Sequence, residues 1–261
     1  MITGASRGIG AATARAFAQQ GARVLLLART ELALAQVAQD ITAQGGQASV
    51  YPIDLASSGA IERTTQTITT EVGVPDIIIN NAGSGSWRFA EETSAAEVVD
   101  MMSVPYFAAF QITRAFLPQM LMRRSGHILN VTSVVAYRAI PGATAYSAAC
   151  WAMRGFTEAL RADLHRTGLH VTLLAAGTTT TPGFQHYPGV EERMPRITRV
   201  VPILTPEQVA KAILWGIERE RRTIVIPFAM HLLVVLNSVA PQLVEWLVVR
   251  SGWHHAKPAE R

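Results

Sequence analysis

At 261 residues the chain can hold one large α/β domain, and its 49% hydrophobic against 16% charged composition supplies a substantial core. The mean hydropathy of +0.21 leaves apolar material over for subunit interfaces or a greasy surface. The net charge of +4 would suit nucleic acid, but the basic residues are scattered, and runs no longer than Arg123-Arg124 or Arg221-Arg222 exclude a phosphate-tracking patch. Cys150 stands alone, which excludes an internal disulfide or a CxxC site and suits a reducing cytoplasm. Glycine and arginine interrupt the N-terminus at once, so no signal peptide is expected.

The first ten residues, MITGASRGIG, organise the rest. Gly4, Gly8 and Gly10 leave a short apolar strand and run straight into the helical GAATARAFAQQ. Glycines at such a turn let the backbone bend tightly, let a pyrophosphate approach without meeting a Cβ, and let the helix pack close to a sheet. The helix start offers unpaired N–H groups and the positive end of its dipole to phosphates. The spacing is GxxxGxG, not the commoner GxGxxG, and a plain structural turn is the alternative reading. Only Met1 and Ile2 precede Thr3-Gly4, so the first strand is expected to be a stub whose natural start lies a few residues upstream.

The following elements alternate. Arg23 to Ala28 is a continuous apolar run suited to the interior of a parallel sheet. A helix is expected over Glu31 to Gln44, ended by Gly45-Gly46. QASVYPIDL is a third strand with Asp54 at its tip, Ser57 to Val72 an amphipathic helix, and Asp76 to Ile79 a fourth strand ending in Asn80-Asn81-Ala82-Gly83. Ala95 to Arg124 reads as helix, with Pro105 and Pro118 inside or bounding it. GHILNVTS is a fifth strand, Ala143 to Thr167 a long helix, and LHVTLLAAG a sixth strand. A looser substrate-side segment, about 178–204, starts at GTTTTPGF; Thr205 to Glu220 is a helix with a good cap, and RTIVIP a seventh strand. Strands alternating with helices mean βαβ units: an α/β fold with a doubly wound parallel sheet in one domain, residues 1–227.

The tail, 228–261, is largely apolar from Phe228 to Val249, but His231, Asn237, Pro241, Gln242 and Glu245 interrupt it. No stretch reaches the roughly 18 apolar residues of a spanning helix. Two short helices packed on the domain or on a partner subunit are expected, with insertion in a membrane surface as the alternative.

Five motifs now coincide in order. TGASRGIG at 3–10, Asp54-Leu55, NNAG at 80–83, Ser133 after the fifth strand and Tyr146 thirteen residues later together resemble a short-chain dehydrogenase/reductase. The similarity runs up to about Pro227. It implies a Rossmann-like sheet of about seven strands, dimers or tetramers, and a nicotinamide dinucleotide across the strands' carboxyl ends. By that resemblance Gly4, Ser6, Arg7, Gly8, Ile9 and Gly10 hold the pyrophosphate and adenosine ribose, Asp54 and Leu55 flank the adenine, Asn81, Ala82 and Gly83 pack beneath it, and Thr181 meets the nicotinamide carboxamide. A carboxylate at the end of the second strand would repel a 2′-phosphate. Here Ala28 holds that place and Arg29 follows, with Arg7 a second cation on the same side, so NADPH/NADP+ is expected over NADH; solvated surface arginines are the bland alternative.

In the family's chemistry a tyrosine protonates the carbonyl oxygen while a serine hydrogen-bonds it, which here are Tyr146 and Ser133. The family's lysine, four residues after the tyrosine, is replaced by Cys150, and Pro105 stands where its asparagine belongs, 28 residues before Ser133. Cysteine supplies no cation to a tyrosine that titrates near 10 when free, and proline has no side-chain amide. Reduction, which needs only a proton from Tyr146, is expected to survive better than oxidation; Arg154, a further turn along, could replace the charge, and a surface arginine is its other reading. A nucleophilic Cys150 lacks a nearby histidine base, and His254-His255 reads as a solvated tail, so no metal is expected.

Two functions follow. One is an NADPH-dependent reductase of a small hydrophobic ketone or aldehyde (or dehydrogenase of the alcohol), with Trp87, Phe89, Phe184 and Tyr187 lining the pocket. The other is a catalytically impaired nucleotide-binding homologue acting as a partner subunit or cofactor sensor. Both are expected in the cytoplasm as homodimers or homotetramers, with membrane-surface contact by the tail as an added option.

Overall fold

The computed structural model describes residues 1–83, 85–181, 194–195, 198 and 200–252. Seven strands form one parallel sheet: β1 (Ile2–Thr3), β2 (Arg23–Ala28), β3 (Gln47–Pro52), β4 (Ile77–Asn80), β5 (Gly126–Ser133), β6 (Leu169–Ala176) and β7 (Thr223–Ile226). Their order is β3-β2-β1-β4-β5-β6-β7, which reverses direction between β1 and β4. That reversal opens a crevice at the carboxyl ends of the strands, where a doubly wound sheet takes its ligand.

Alternation along each strand feeds two layers. On one face Leu26, Ile79, Leu129 and Leu174 pack with α1 (Gly8–Gln19), α2 (Glu31–Ala43) and, nearer the C-terminus, the Pro206–Glu218 helix. On the other face Leu25, Leu27, Ile78 and Ile128 pack with α3 (Ser58–Glu71), Ile112, Phe116 and Met120 of a helix over Ala108–Arg123, and Leu160 of another over Thr144–Asp163. In chain order after α3 the helices are α4 (Ala95–Met102), α5 (Ala108–Arg123), α6 (Thr144–Asp163), α7 (Pro206–Glu218), α8 (Phe228–Val239) and α9 (Pro241–Ser251). Apolar residues on both sides of β2 explain its unbroken hydrophobic run.

Buried polar groups also cross the second layer. Asn80 at the end of β4 donates to Asn130 Oδ1 on β5 at 2.8 Å, and Asn130 donates to Thr157 Oγ1 on α6 at 2.9 Å. Thr157 in turn donates to the Met153 carbonyl at 2.7 Å. All of this lies below the surface, with Asn130 and Thr157 fully enclosed, so each partner depends on the next.

The expected elements are present, with informative shifts. The third strand ends at Pro52, before Asp54, because its partner β2 ends at Ala28; one last bond runs from Ile53 N–H to the Ala28 carbonyl. The long helix expected over 95–124 is continuous only through a π-turn, Ser103–Phe107. Pro105 has no N–H to give the helical ladder, and the chain widens until Ala108 N–H reaches the Ser103 carbonyl. The α6 helix stops at Asp163, four residues short of Thr167. The tail forms two short helices, with Met230, Val244 and Val248 buried beneath them. None of the described helices is long and apolar enough to cross a membrane.

Candidate active site

The glycine turn is built for close approach. Gly4 and Gly8 have φ of +66° and +55°, conformations that β-carbons disfavour. A Cβ at Gly10 would collide with the Gly4 carbonyl and the Asn81 amide, and one at Gly8 would press on Thr181 at 3.1 Å. The turn is pinned from below: Thr3 Oγ1 accepts from the N–H groups of Asn81 and Ala82, both at 2.9 Å, and Asn81 Nδ2 donates to the Thr3 carbonyl at 2.9 Å. Thus NNAG both stabilises the sheet and forms the floor of the crevice, and Thr181 faces the turn from across it.

The other residues expected on the cofactor side follow the carboxyl ends of neighbouring strands. Arg7 is the N-cap of α1 and exposed, Arg29 directly follows β2 and is exposed, and Asp54 follows β3. Among the described residues neither arginine has an ion-pair partner. Asp54 Oδ1 accepts from Ala56 N–H at 3.0 Å, shaping the turn that leads into α3, while Leu55 is buried. Leu55 packs with Met1, Leu27 and Ile53 in the second core layer, and neither Asp54 nor Leu55 lines the cleft beyond the glycine turn.

A cleft of about 450 Å³ opens beyond it. Ile9, Asn81, Ala82, Gly83, Pro105, Ser133, Tyr146, Cys150 and Thr181 all line it, so the motifs that are distant in sequence converge on one cavity. Ser133 ends β5 and caps the short turn Val134–Ala136, its Oγ accepting from Val135 N–H at 3.3 Å. Because that bond uses a lone pair, the hydroxyl proton stays available to donate. Tyr146 lies in the first turn of α6, its ring stacked beside Trp87 with centroids 6.3 Å apart.

Cys150, one turn further on, is buried, and burial pushes its thiol above the usual range. The polar groups of Thr132, Ser133 and Tyr146 around it offset this in part. A raised, enclosed thiol is a poor nucleophile.

Arg154 does not replace the missing lysine. Its guanidinium lies over the Tyr137 ring at 4.3 Å, pairs with Glu158 at 2.8 Å and donates to the Ala136 carbonyl at 3.2 Å, and it is no part of the cleft wall. Two further pocket expectations change. Trp87 lines the cleft, but Phe89 does not, since it precedes the short turn Ala90–Glu92; Phe184 and Tyr187, like His254 and His255, lie outside the described residues. No cluster of metal-ligating side chains occurs among the described residues.

Sequence reasoning left the residues of the far wall unnamed. Met230, Leu233, Val234 and Asn237 of α8 and Val248 of α9 close the cleft, together with Arg138 and Ile140 from the segment between Ser133 and Tyr146. The signal was present: the polar interruptions Asn237 and Glu245 in an apolar tail mark the side chains that tie it down.

A seven-stranded parallel sheet with a glycine turn at its switch point, facing a serine and a tyrosine across an apolar cleft, defines a dinucleotide-binding α/β fold of the oxidoreductase kind. The short chain dehydrogenase family model matches residues 1–189. Human "Short-chain dehydrogenase/reductase 3" is 32% identical over 244 residues, covering 93% of this chain and 79% of that protein. "Fatty acyl-CoA reductase" of Acinetobacter baylyi is 32% identical over 245 residues, covering 93% and 80%. A metagenomic short-chain oxidoreductase solved in complex with NADP superposes with a TM-score of 0.73 at 28% identity, covering 86% of this chain and 94% of that one. The chain belongs to the short-chain dehydrogenase family, a family of oxidoreductases.

Proposed function

We propose that the protein is an NADP(H)-dependent reductase of a small hydrophobic ketone or aldehyde. The observation that carries this reading is the convergence of Ser133 and Tyr146 on an apolar cleft continuous with Thr181 and the NNAG floor. The residues fit the dinucleotide: Gly4, Gly8 and Gly10 leave the room a pyrophosphate needs, and Ser6, Arg7 and Ile9 complete the turn at the start of α1. Arg7 and Arg29 would meet the 2′-phosphate, Asp54 and Leu55 the adenine, Asn81, Ala82 and Gly83 the underside, and Thr181 the carboxamide. When bound, NADPH supplies the hydride.

The chain's own residues do the rest. The Ser133 hydroxyl donates a hydrogen bond to the substrate carbonyl oxygen, and the Tyr146 hydroxyl donates its proton to that oxygen. The stack with Trp87 restrains the phenol in the cleft. The apolar wall excludes water and takes the substrate's hydrocarbon part.

Cys150 and Pro105 favour a second reading, a nucleotide-binding homologue that has lost turnover and serves as partner subunit or cofactor sensor. Both readings predict NADPH binding, and they separate on turnover. NADPH consumption against a panel of hydrophobic carbonyls decides: Tyr146-dependent consumption supports the reductase, and binding without any such consumption supports the sensor.

The reading extends to partners. Phe107, Phe110 and Trp151 expose apolar surface on and beside α5 and α6, which suits a homodimer or homotetramer. Phe228, Leu232, Val235 and Val239 form an exposed stripe on α8, continued by Trp246 on α9, which suits contact with a membrane surface from the cytoplasmic side. Light scattering and co-sedimentation with liposomes, using the full chain and one ending at Pro227, check the two.

A further inference from the structure

Arg138 stands between Ser133 and Tyr146 in sequence, yet its side chain bonds reach about a hundred residues away. Its Nε donates to Asn237 Oδ1 at 2.8 Å, Nη1 to Glu245 Oε2 at 3.2 Å and Nη2 to the Pro241 carbonyl at 3.0 Å. Those acceptors come from α8, α9 and the junction joining them. Asn237 closes the ring, since its Nδ2 donates to the Tyr137 carbonyl at 3.2 Å. The Arg138 side chain is only 23% exposed, against 60% for Glu245. A planar guanidinium with three separately sourced acceptors is satisfied in one placement of the hairpin and in few others.

The hairpin it holds is a wall of the cleft. Met230, Leu233, Val234 and Asn237 recur at helical spacing along one face of α8, and that face looks into the cavity. Beneath the hairpin the packing is apolar, through Met230, Val244 and Val248. Apolar burial is non-directional and tolerates sliding, so the directed bonds of Arg138 set where the wall stands.

We infer that Arg138 is a specificity-determining residue: by stapling the C-terminal hairpin to the segment between Ser133 and Tyr146, it sets how long a hydrocarbon chain the cleft admits. This rests on the cleft being the substrate site. Arg138 carries the one formal charge among the described residues of the cleft wall, and Glu245 answers it. The ligand class is therefore an uncharged aliphatic carbonyl compound rather than a carboxylate or phosphate ester.

The test is a chain-length profile with straight-chain methyl ketones, comparing the wild type with Arg138→Ala and Asn237→Ala. In wild type, kcat/KM falls sharply beyond one length; in both variants the ratio between the preferred ketone and its next longer homologues drops on the order of tenfold, the scale of one or two methylenes in a fitted pocket. That change is carried by KM more than kcat. A loss equal at every length, or an unaltered profile, overturns the inference. The same series is read by displacement of the apolar dye 1-anilinonaphthalene-8-sulfonate, which needs no turnover. If wild type shows a sharp length preference in binding without turnover, the reductase reading fails and the staple still stands or falls on the variants. Hydrogen exchange over 228–251 checks that either variant is folded and that its hairpin is loosened.

Discussion

Tyr146 packs in one small cluster with Cys150, one turn ahead of it on α6, and by the family resemblance Cys150 stands where a lysine would put an ammonium. The phenol is therefore set beside a neutral, buried group. A proton donor works in such surroundings, whereas Cys150 supplies no cation to a phenolate.

Replacing Cys150 by lysine restores that cation. Cys150→Lys is expected to raise alcohol oxidation by about tenfold or more, and ketone reduction by less, because only oxidation requires the phenolate. Initial rates in both directions at one pH make the comparison. Rates that do not move in either direction would mean that another cation already serves Tyr146.

The thiol itself is expected to be sluggish. Burial holds its proton on, so iodoacetamide should label Cys150 in the native protein far more slowly than after unfolding in urea. Mass spectrometry of timed samples reads this directly.

The polar line from Asn80 through Asn130 to Thr157 supports the floor and α6 together. Asn130→Leu removes two buried hydrogen bonds, leaving the Asn80 amide only Thr113 Oγ1 at 3.4 Å and Thr157 only the Met153 carbonyl, at a cost of about 1–3 kcal/mol. Urea unfolding measures it, and a loss under about 0.5 kcal/mol would deny the line its importance.

His127 gives the fold an acid-sensitive group. Burial first, and the neighbouring His170 second, lower its pKa from 6.5 to about 4, and its Nε2 lies 2.8 Å from Thr172 Oγ1. The unfolded chain takes up the proton before the native one does. Stability from this group is therefore present above pH 6.5 and lost as pH falls toward about 4, a swing of order 3 kcal/mol. Urea midpoints between those pH values should flatten in His127→Gln.

Much of this was legible in the chain. β2 read true to the residue because an apolar run buried on both faces suits the interior of a parallel sheet, and β5 kept its expected bounds as well. Ser133, Tyr146, Cys150 and Pro105 were placed by motif order, and they share one cleft. The π-turn at Pro105 was not legible, since helical periodicity cannot show a one-residue widening. Nor was the fate of Arg154, which helix spacing placed on the right face but which an aromatic ring and a carboxylate draw away. The Arg138 staple joins residues about a hundred positions apart: Asn237 and Glu245 stand out in the apolar tail, but no local pattern pairs them with Arg138.

NADPH oxidation by the wild type and by Tyr146→Phe, over a panel of hydrophobic ketones and aldehydes, tests the central claim most directly. The expected result is measurable wild-type consumption that falls by a factor of about 10²–10⁴ in the variant, with NADPH binding retained in both. Equal consumption by the two proteins, or NADPH bound by neither, would contradict it.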